Sequence, residues 1–481
     1  MAETDEPGVF AAPDMQYLMD SPIEISDFVL REWTVGEGDE AQAFRLALHH
    51  AGTEEEADAY GRLAETVVRE QAALWGELPR FDHGQYTFLA DYLPYSDGDG
   101  MEHRNSTVLS SSRSLADAPI RLLRTLSHEF FHAWNVERIR PRSLEPFDFE
   151  RENMSGELWF AEGFTNYYDG LVLCRAGIVD LDGYAEDISG TVNAVMNTPA
   201  TRYGSPVDMS LRAPLVDGAT WVDPQNLGNI FLTYYTFGDA VGLALDLTLR
   251  TRTEKTLDDF LRAVWEKYGR EETPYTNADL EATLAEVTGD EEFAKGFFTR
   301  YVYGREVADY GSLLAAAGLV LRKENEGAAS WGGARLTKGD GGVEVGGPPP
   351  VDSPLYRAGA EGAAVSAGDG REVARRVEME ELREGYAPGA EVKVDYRQRG
   401  RELTAMVTLD EDRTVEVVPV EHLGETPSEA AVAFRESWLG SKSGYVDASL
   451  GRRCPTCQRR YPMAHAYCGH DGKELVIAVA E

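Results

Sequence analysis

The sequence predicts an α+β fold in which a small sheet and a mostly helical region precede a β-rich module and a short cysteine-bearing tail. Strand-like alternation occurs before residue 110, and helical patterns fill most of residues 116–310. From Gly327 onward the composition shifts to Gly, Pro and short alternating strands, with the turn-rich stretch "GGPPPVDSP" at 346–354. A chain of 481 residues is long enough for two to four domains, each with its own core.

The individual elements can be assigned in chain order. Residues 1–40 contain several prolines and alternate loosely, which predicts extended structure. The stretch 54–78 has apolar residues at three- and four-residue spacing and an acidic first turn, so it predicts a helix. Alternation predicts a strand at 85–93 and, after a Gly/Asp-rich turn, a second short strand at 106–110. The β-rich module then occupies residues 318–420.

Charge and cysteine usage exclude some classes of partner. The chain has 83 acidic and 46 basic residues and a formal net charge of -37, which argues against nucleic acid and anionic membranes as partners. No apolar run reaches the roughly 18 residues of a membrane span, and the acidic start "MAETDEPGVF" is unlike a signal peptide. Three of the four cysteines lie close together in the tail, which indicates a metal site more than a disulfide framework. The sequence therefore predicts a cytoplasmic protein.

The stretch "SHEFFHAWNVERIRP" at 127–141 is the strongest functional motif. On a helix, His128 and His132 lie one turn apart on the same face, so both imidazoles can bind one Zn²⁺. Glu129 is turned by about 100° and lies beside that site. The spacing is that of a zinc peptidase. The alternative is an ordinary core helix with two hydrogen-bonded histidines.

A third metal ligand is available in the stretch "LWFAEGFTNYYDG" at 158–170. Glu162 lies there on a second predicted helix, and its immediate neighbours are small or apolar. A glutamate on an amphipathic helix is usually solvated, but apolar surroundings favour a ligand role here. Three protein ligands leave the fourth position open for water, which is typical of a catalytic zinc site.

Taken together, these two motifs resemble the glycyl aminopeptidase family of gluzincin metallopeptidases, relatives of the aminopeptidase N and leukotriene hydrolase group. The stretch 92–109, "YLPYSDGDGMEHRNSTVL", resembles that family's strand and turn before the active-site helix. The stretch 300–321, "RYVYGREVADYGSLLAAAGLVL", resembles its transition into a PDZ-like module. The resemblance covers residues from about 15 to 440 and implies a thermolysin-like catalytic domain.

The resemblance also implies residue roles. Zinc would be held by His128, His132 and Glu162, and Glu129 would be the general base. Tyr235, in "YYTFG" at 234–238, matches the transition-state tyrosine of the aminopeptidase N relatives, with a packed core aromatic as the alternative.

A substrate-binding strand is implied as well. The stretch "GMEH" at 100–103 resembles the edge-strand motif that binds the free amino terminus of the peptide, so Glu102 would pair with the α-ammonium group. The alternative is that Glu102 is one more surface acid.

The ends of the chain carry three further predictions. Family members have an all-β domain ahead of the catalytic domain, and residues 1–40 resemble the remnant of such a domain. The module at 318–420 resembles a PDZ domain, which implies either binding of a peptide C-terminus or a packing role. In the tail, "CPTCQRRYPMAHAYCGHDG" at 454–472 resembles a small zinc ribbon with a second, structural zinc. Its predicted ligands are Cys454, Cys457, Cys468 and Asp471, with His465 or His470 as alternatives to Asp471.

The sequence thus predicts a cytoplasmic zinc aminopeptidase that removes small N-terminal residues, Gly or Ala, from peptides. The alternatives are a zinc endopeptidase of the same fold and a catalytically silent scaffold that binds partners through its C-terminal modules. The predicted domains are a β-domain remnant (1–40), the catalytic domain (41–317), the PDZ-like domain (318–420), a linker (421–450) and the zinc ribbon (451–481).

Overall fold

The structure is a computed structural model that describes residues 1–216, 226–339, 341–457, 459–461, 463, 465, 467–470, 472, 473 and 475–479. Its N-terminal part contains a five-stranded sheet in the order Val29–Val35, Gln42–His50, Gln85–Tyr92, Ser106–Ser111 and Asp99–His103. The two inner pairings are parallel and the two outer pairings are antiparallel. The last strand in this order, Asp99–His103, is called the edge strand below.

Two of these strands confirm the sequence prediction, and two differ from it. Gln85–Tyr92 and Ser106–Ser111 match the strands predicted at 85–93 and 106–110. Val29–Val35 lies in the segment assigned to a separate β-domain remnant, yet it pairs along its whole length with Gln42–His50 and so belongs to this sheet. The sequence pattern did not predict the strand Gln42–His50. The rest of the first 41 residues contains the strands Ala2–Glu3 and Phe10–Ala11, the helix Met15–Met19 and the 3₁₀ turn Gly38–Glu40.

The first long helix, Glu54–Trp75, confirms the helix predicted over 54–78. It begins with a capping box, because the Thr53 side chain accepts from the Glu56 N–H and the Glu56 carboxylate accepts from the Thr53 N–H. It ends at Gly76, whose φ of 90° lies in the left-handed region that favours glycine. Local sequence therefore defines both ends of this helix.

The sheet is joined to the following helix, Pro119–Phe131, by a buried aromatic cluster. The Phe130 ring centroid lies 5.7 Å from that of Phe44, 5.1 Å from Tyr86 and 5.6 Å from Phe88. All four side chains are buried. Packing of this density holds the helix, which carries His128 and Glu129, at a fixed depth beneath the sheet.

The predicted helical region 116–310 is confirmed by a series of helices that share one large hydrophobic core with the sheet. The α-helices are Pro119–Phe131, Leu158–Ala161, Gly163–Arg175, Leu181–Asn197, Pro206–Ser210, Ala213–Val216, Leu227–Ile230, Tyr234–Arg252, Leu257–Val264, Asn277–Thr288, Glu291–Phe297 and Tyr310–Ala315. Short 3₁₀ turns at Arg142–Leu144 and Ala200–Arg202 and π-helical segments at Trp265–Gly269 and Phe298–Val302 complete the region.

The β-rich module contains an antiparallel sheet and its own hydrophobic core. Its strands are Leu336–Gly339, Gly342–Val345, Ala364–Gly368, Glu391–Gln398 and Arg401–Thr408, with Arg371–Glu372 paired to Ala364–Gly368. The helices Pro354–Arg357 and Arg376–Glu384 accompany it, and Ala329–Ser330 pairs with Asp410–Glu411. The short strands predicted after Gly327 are thus present in the structure.

Two further strands tie this module to the helical region. Leu319–Lys323 pairs with Val415–Pro419, and Leu319 is buried in the large core. On the helix Leu181–Asn197, Asn193 accepts from the Val415 N–H at 2.9 Å and donates to the Val415 carbonyl oxygen at 2.5 Å. The module is thus hydrogen-bonded to the helical region as well as connected through the chain.

The segment 421–450, predicted as a linker, contains the packed helix Glu429–Leu439 after a 3₁₀ turn at Val420–Leu423. Trp438 at its end is fully buried. Its indole N–H donates to the Tyr167 hydroxyl at 2.9 Å, and its carbonyl oxygen accepts from Arg175 at 2.9 Å. The segment is therefore part of the large core, because burial of one tryptophan outweighs its otherwise polar composition.

The tail forms a three-stranded sheet that lies against the helix Glu54–Trp75. Its order is Arg460–Tyr461, Leu450–Arg453 and Val476–Val479. Cys454, Cys468 and Leu475 make up its small buried cluster. In the part of the chain that the structure describes, no helix has both the length and the apolar character needed to cross a membrane.

Candidate active site

The two histidines of the motif meet on the helix Pro119–Phe131, called the histidine helix below. His128 lies in its last turn and His132 is its C-terminal cap residue. Their ring centroids are 4.9 Å apart, as expected for neighbours at i and i+4 on one face. Both side chains are buried. The structure therefore places the two imidazoles side by side on one face of the helix.

Glu162 reaches the same point from the junction of the helices Leu158–Ala161 and Gly163–Arg175. Its Oε2 lies 3.3 Å from His128 Nε2 and 3.2 Å from His132 Nε2. One donor atom from each of the three residues lies within 4.8 Å of the others. Two imidazole nitrogens and one carboxylate oxygen form a donor set that suits Zn²⁺ and leaves a coordination position open.

Close glycine packing brings the helix Tyr234–Arg252 against the start of the helix Gly163–Arg175. A Cβ atom on Gly163 would overlap the Cα atom of Gly238 in the helix Tyr234–Arg252. A Cβ atom on Gly238 would overlap the Trp159 carbonyl oxygen. Only glycine fits at these two positions, so the residue after Glu162 and the residue three after Tyr235 together set the spacing of the two helices.

The imidazole of His128 is oriented by Asp169, a residue that the sequence analysis did not identify. Asp169 Oδ2 lies 3.3 Å from His128 Nδ1, and Arg124 donates to Asp169 Oδ1 at 2.7 Å. Asp169 follows Glu162 by seven residues, which places both on one face two turns apart. That spacing is the signal by which the sequence could have identified it.

The second imidazole is oriented by backbone. His132 Nδ1 contacts the carbonyl oxygen of Asn135, and the Asn135 amide donates to the carbonyl oxygens of Phe160 and Ala161 at 3.1 Å each. Asn135 therefore connects the end of the histidine helix to the turn just before Glu162. These partners leave Nε2 of each histidine directed at Glu162.

The charges of the three residues depend on one another. Burial opposes ionisation of Glu162, but the imidazoles of His132 and His128 hold its pKa well below the usual range. Burial likewise opposes the charge on His132, but the carboxylates of Glu162 and Glu102 outweigh it and raise the His132 pKa to about 9. The site thus strongly favours positive charge beside the Glu162 carboxylate, which suits a divalent cation.

Glu129 is buried beside these three residues. Burial raises the pKa of its carboxyl group to about 7, with the imidazoles of His128 and His132 opposing and the carboxylates of Glu102 and Glu162 adding to the effect. A Cβ atom on Gly100 of the edge strand would overlap the Glu129 carboxylate. Gly100 therefore lets the edge strand lie directly against Glu129.

Glu102 lies on the same edge strand and faces this group. One donor atom each of Glu102, Glu129 and His132 lies within 4.8 Å of the others. Burial raises the pKa of Glu102, His132 lowers it, and Glu162 raises it further. The structure thus places the Glu102 carboxylate beside Glu129 and His132.

Tyr235 approaches from the other side, at the start of the helix Tyr234–Arg252. Its ring is stacked on that of His128, with centroids 5.9 Å apart and planes 28° apart. Burial and then the Glu162 carboxylate raise the pKa of its hydroxyl group. The hydroxyl therefore keeps its proton and can act as a hydrogen-bond donor.

The cysteines of the tail form a second cluster of donors. The sulfur atoms of Cys454, Cys457 and Cys468 lie within 4.8 Å of one another, with 3.6 Å between Cys457 and Cys468. The Cys457 N–H donates to the Cys454 sulfur at 3.3 Å, and the His470 N–H donates to the Cys468 sulfur at 3.4 Å. Asp471, the predicted fourth ligand, lies outside the described residues.

Comparisons with known proteins agree with the geometry. Residues 121–241 match the family model of the M61 glycyl aminopeptidases. An aminopeptidase N family protein from Idiomarina loihiensis has the same fold, with a TM-score of 0.70 at 24% sequence identity over 87% of this chain and 73% of that chain. An M1 zinc metallopeptidase from Deinococcus radiodurans aligns less well, with a TM-score of 0.37 and 16% identity over 58% of this chain and 53% of that chain. A comparison with curated proteins gives no match.

The family-model match identifies the chain as a peptidase, and the His, His and Glu donor set agrees with the metallo type. The matched segment contains His128, His132, Glu162 and Tyr235, and it matches the M61 glycyl aminopeptidase family model. The family resemblance and the prediction of a peptidase are therefore confirmed.

Proposed function

We propose that the chain is a zinc-dependent aminopeptidase with His128, His132 and Glu162 as the zinc ligands. The convergence of these three donors beside two further carboxylates, Glu129 and Glu102, carries the proposal. When bound, the ion supplies Lewis-acid chemistry, because it lowers the pKa of water and polarises a carbonyl group. The family resemblance supports a preference for small N-terminal residues, Gly or Ala.

Glu129 has the role of general base and acid in this proposal. Its carboxylate takes a proton from the attacking water and passes it to the amine of the leaving peptide. A pKa of about 7, raised chiefly by burial, keeps the group near the working pH, where both proton uptake and release are easy. Contact with Gly100 of the edge strand would hold its carboxylate in place.

Tyr235 has the role of oxyanion donor. Tyr235 lies at the start of the helix Tyr234–Arg252, and its ring stacks on that of His128, beside the proposed ligands. A protonated hydroxyl donates a hydrogen bond to the carbonyl oxygen as negative charge develops there.

Glu102 has the role of binding the free amino terminus of the substrate. A peptide that extends the sheet beside the edge strand would have its backbone aligned by strand pairing. A Glu102 carboxylate on that strand would meet the α-ammonium group and fix which peptide bond reaches Glu129.

A panel of substrates tests the proposed activity. We expect peptides and arylamides with free N-terminal Gly or Ala to be cleaved, and N-blocked, internally quenched peptides to be cleaved poorly. A chelator should abolish the activity and added Zn²⁺ should restore it. Efficient cleavage of the blocked peptides would favour the endopeptidase alternative, and no cleavage of any substrate would favour the scaffold.

Asp169 offers a test of how the zinc site is held. Replacement of Asp169 by Asn is expected to weaken zinc binding by roughly ten- to a hundredfold, because the carboxylate no longer orients His128. The dissociation constant would be measured by competition with a chelator. Asp187→Asn is the matched control, since Asp187 contacts Arg124 at 2.9 Å in the same network, and equal losses in both variants would contradict the role.

We further propose that the tail holds a structural zinc ion. Three sulfur donors within 4.8 Å of one another, on two turns that each direct an N–H at a sulfur, support this proposal. The tail's own buried cluster is small, so a metal ion would add to the stability that packing on the helix Glu54–Trp75 provides. The fourth ligand, Asp471 or one of His465 and His470, stays a prediction.

The tail zinc can be tested without removing the tail, which lies against the helix Glu54–Trp75. The double variant Cys454→Ser and Cys457→Ser is expected to contain about one zinc per chain where the native protein contains about two. Catalysis should be largely retained. Cys174→Ser is the control, because Cys174 is half-buried in the helix Gly163–Arg175, and unchanged zinc content in the double variant would refute the tail site.

We propose a division of the chain into a peptidase domain, a PDZ-like domain at 318–420 and a zinc-ribbon tail from 451. The separate core and antiparallel sheet of the β-rich module support the second of these. Pairing of Val29–Val35 with the catalytic sheet favours placing residues 29–40 in the peptidase domain. A C-terminal peptide ligand of the PDZ-like domain and the cytoplasmic location stay predictions.

A further inference from the structure

A third group of metal-binding side chains lies on the N-terminal sheet, apart from the zinc motif and the tail. It consists of Glu24, His49 and Asp91, and one donor atom of each lies within 4.8 Å of the others. His49 and Asp91 are paired in register on the parallel strands Gln42–His50 and Gln85–Tyr92. Their side chains therefore point to the same face of the sheet.

That face is opposite the one packed on the core. The residues next to His49 and Asp91 along the strands, Leu48 and Tyr92, are buried in the large core. Side chains alternate along a strand, so His49 and Asp91 point away from the core. They are only partly exposed, at 28% and 32% of their side-chain surface, and Glu24 of the segment 21–28 lies beside them.

The segment 21–28 has an unusual orientation. Its isoleucines, Ile23 and Ile25, are 61% and 92% exposed, whereas Glu24 between them is half-buried. An extended segment on a sheet gains stability by turning its apolar residues inward and its charges outward. This segment does the reverse and places the Glu24 carboxylate near His49 and Asp91.

Ser26 lies two residues after Glu24 in the same segment and carries an unsatisfied polar group. Its hydroxyl oxygen is buried and has no hydrogen-bond partner among the described residues. A buried hydroxyl without a partner is costly, and a metal ion with its water molecules would supply one.

The local charge balance also calls for a cation. Among the residues that the structure describes, the only ion-pair contact of Glu24 or Asp91 is that between Asp91 Oδ1 and His49 Nδ1, at 3.0 Å. Neither carboxylate has a lysine or arginine in ion-pair contact among the described residues. In the proposed catalytic site, Glu162 Oε2 lies 3.3 Å from His128 Nε2 and 3.2 Å from His132 Nε2. The distance between His49 Nδ1 and Asp91 Oδ1 is comparable.

We propose that Glu24, His49 and Asp91 form a third metal site, which binds a divalent transition ion such as Zn²⁺. One imidazole nitrogen and two carboxylate oxygens suit such an ion. The ion clamps the segment 21–28 onto the sheet. The same segment follows Asp20, which accepts from the Arg104 N–H at 3.2 Å and contacts His103 Nδ1 at 2.9 Å, so the clamp also steadies the chain beside the edge strand.

The site is tested by zinc content after dialysis against micromolar Zn²⁺. We expect His49→Ala to contain one zinc per chain less than the native protein, and Asp91→Asn or Glu24→Gln to lose the same ion. His83→Ala is the matched control, because His83 is an exposed histidine on the turn before Gln85–Tyr92. The comparison is a difference from the native protein, so it does not depend on how many other zinc sites are filled.

Chymotrypsin cleavage after Phe28 provides a second measurement. Phe28 is 37% exposed and lies at the end of the clamped segment. Added Zn²⁺ should slow this cleavage in the native protein and in His83→Ala, but not in His49→Ala or Glu24→Gln. Equal zinc content in the native protein and all three site variants, or cleavage that zinc does not slow, would overturn the proposal and leave a hydrogen-bonded His–carboxylate group. Glu24→Gln alters only a surface segment, so the test holds even if His49→Ala does not fold.

Discussion

Replacement of Glu129 by glutamine is expected to lower turnover by at least roughly a hundredfold while the zinc content stays unchanged. Glutamine keeps the shape of the side chain and its contact with Gly100, but it cannot accept the proton of the attacking water. Because the ligands His128, His132 and Glu162 are untouched, the loss should appear in kcat more than in zinc binding. Steady-state kinetics and elemental analysis of the same preparation would measure both.

The control for this variant is Glu186→Gln. Glu186 is an exposed glutamate on the helix Leu181–Asn197, and its replacement should leave kcat within about twofold of the native value, as for most surface changes. Normal turnover of Glu129→Gln would remove the base from the proposed mechanism. It would also strengthen the scaffold alternative, in which the peptidase fold is kept without its chemistry.

Local patterns predicted the elements whose ends are defined by neighbouring residues. The helix Glu54–Trp75 has its capping box and its terminal glycine within its own sequence, so it could be predicted nearly to its boundaries. The neighbouring positions of His128 and His132 could be predicted for the same reason, because helical spacing alone brings them together. To predict that Glu162 lies near them, it was enough to assume that a second helix faces the histidine helix.

Elements that depend on distant contacts could not be predicted in this way. The helix Glu429–Leu439 looked like a linker because its stability comes from burial of Trp438 against Tyr167, more than 270 residues earlier in the chain. The strand Gln42–His50 lies inside the sheet, and its alternation is incomplete because the consecutive residues Leu46, Ala47 and Leu48 are all buried. Both were therefore missed by patterns that count only near neighbours.

Single residues of the site could also escape prediction from local patterns. Asp169 binds no metal in the proposed site and looks in sequence like any acid on a helix, yet it accepts from Arg124 and contacts His128. Its role depends on how the helix Gly163–Arg175 faces the histidine helix, and that arrangement is set by tertiary packing. Positioning residues of this kind become visible only when the helices are placed.

Replacement of Glu102 by alanine separates an aminopeptidase from an endopeptidase, because the two share every zinc ligand and differ in what lies beyond the metal. A charge-assisted hydrogen bond between the Glu102 carboxylate and the substrate α-ammonium group should contribute about 1.5 to 3 kcal/mol. At about 1.4 kcal/mol per factor of ten, its loss lowers kcat/KM for free-amine peptides roughly ten- to a hundredfold.

Acetylated peptides make the test specific to the ammonium group. They lack the cation, so the native enzyme should cleave them poorly and Glu102→Ala should lose little more. Asp99→Ala is the matched control, since Asp99 is an exposed acid on the same edge strand. Any change in kcat/KM in this variant should be the same for free and acetylated peptides. If the native enzyme cleaves both kinds of peptide equally well, Glu102 does not bind the amino terminus and the enzyme is an endopeptidase. If instead only the free-amine peptides depend on Glu102, the edge strand is what confines the enzyme to the first peptide bond.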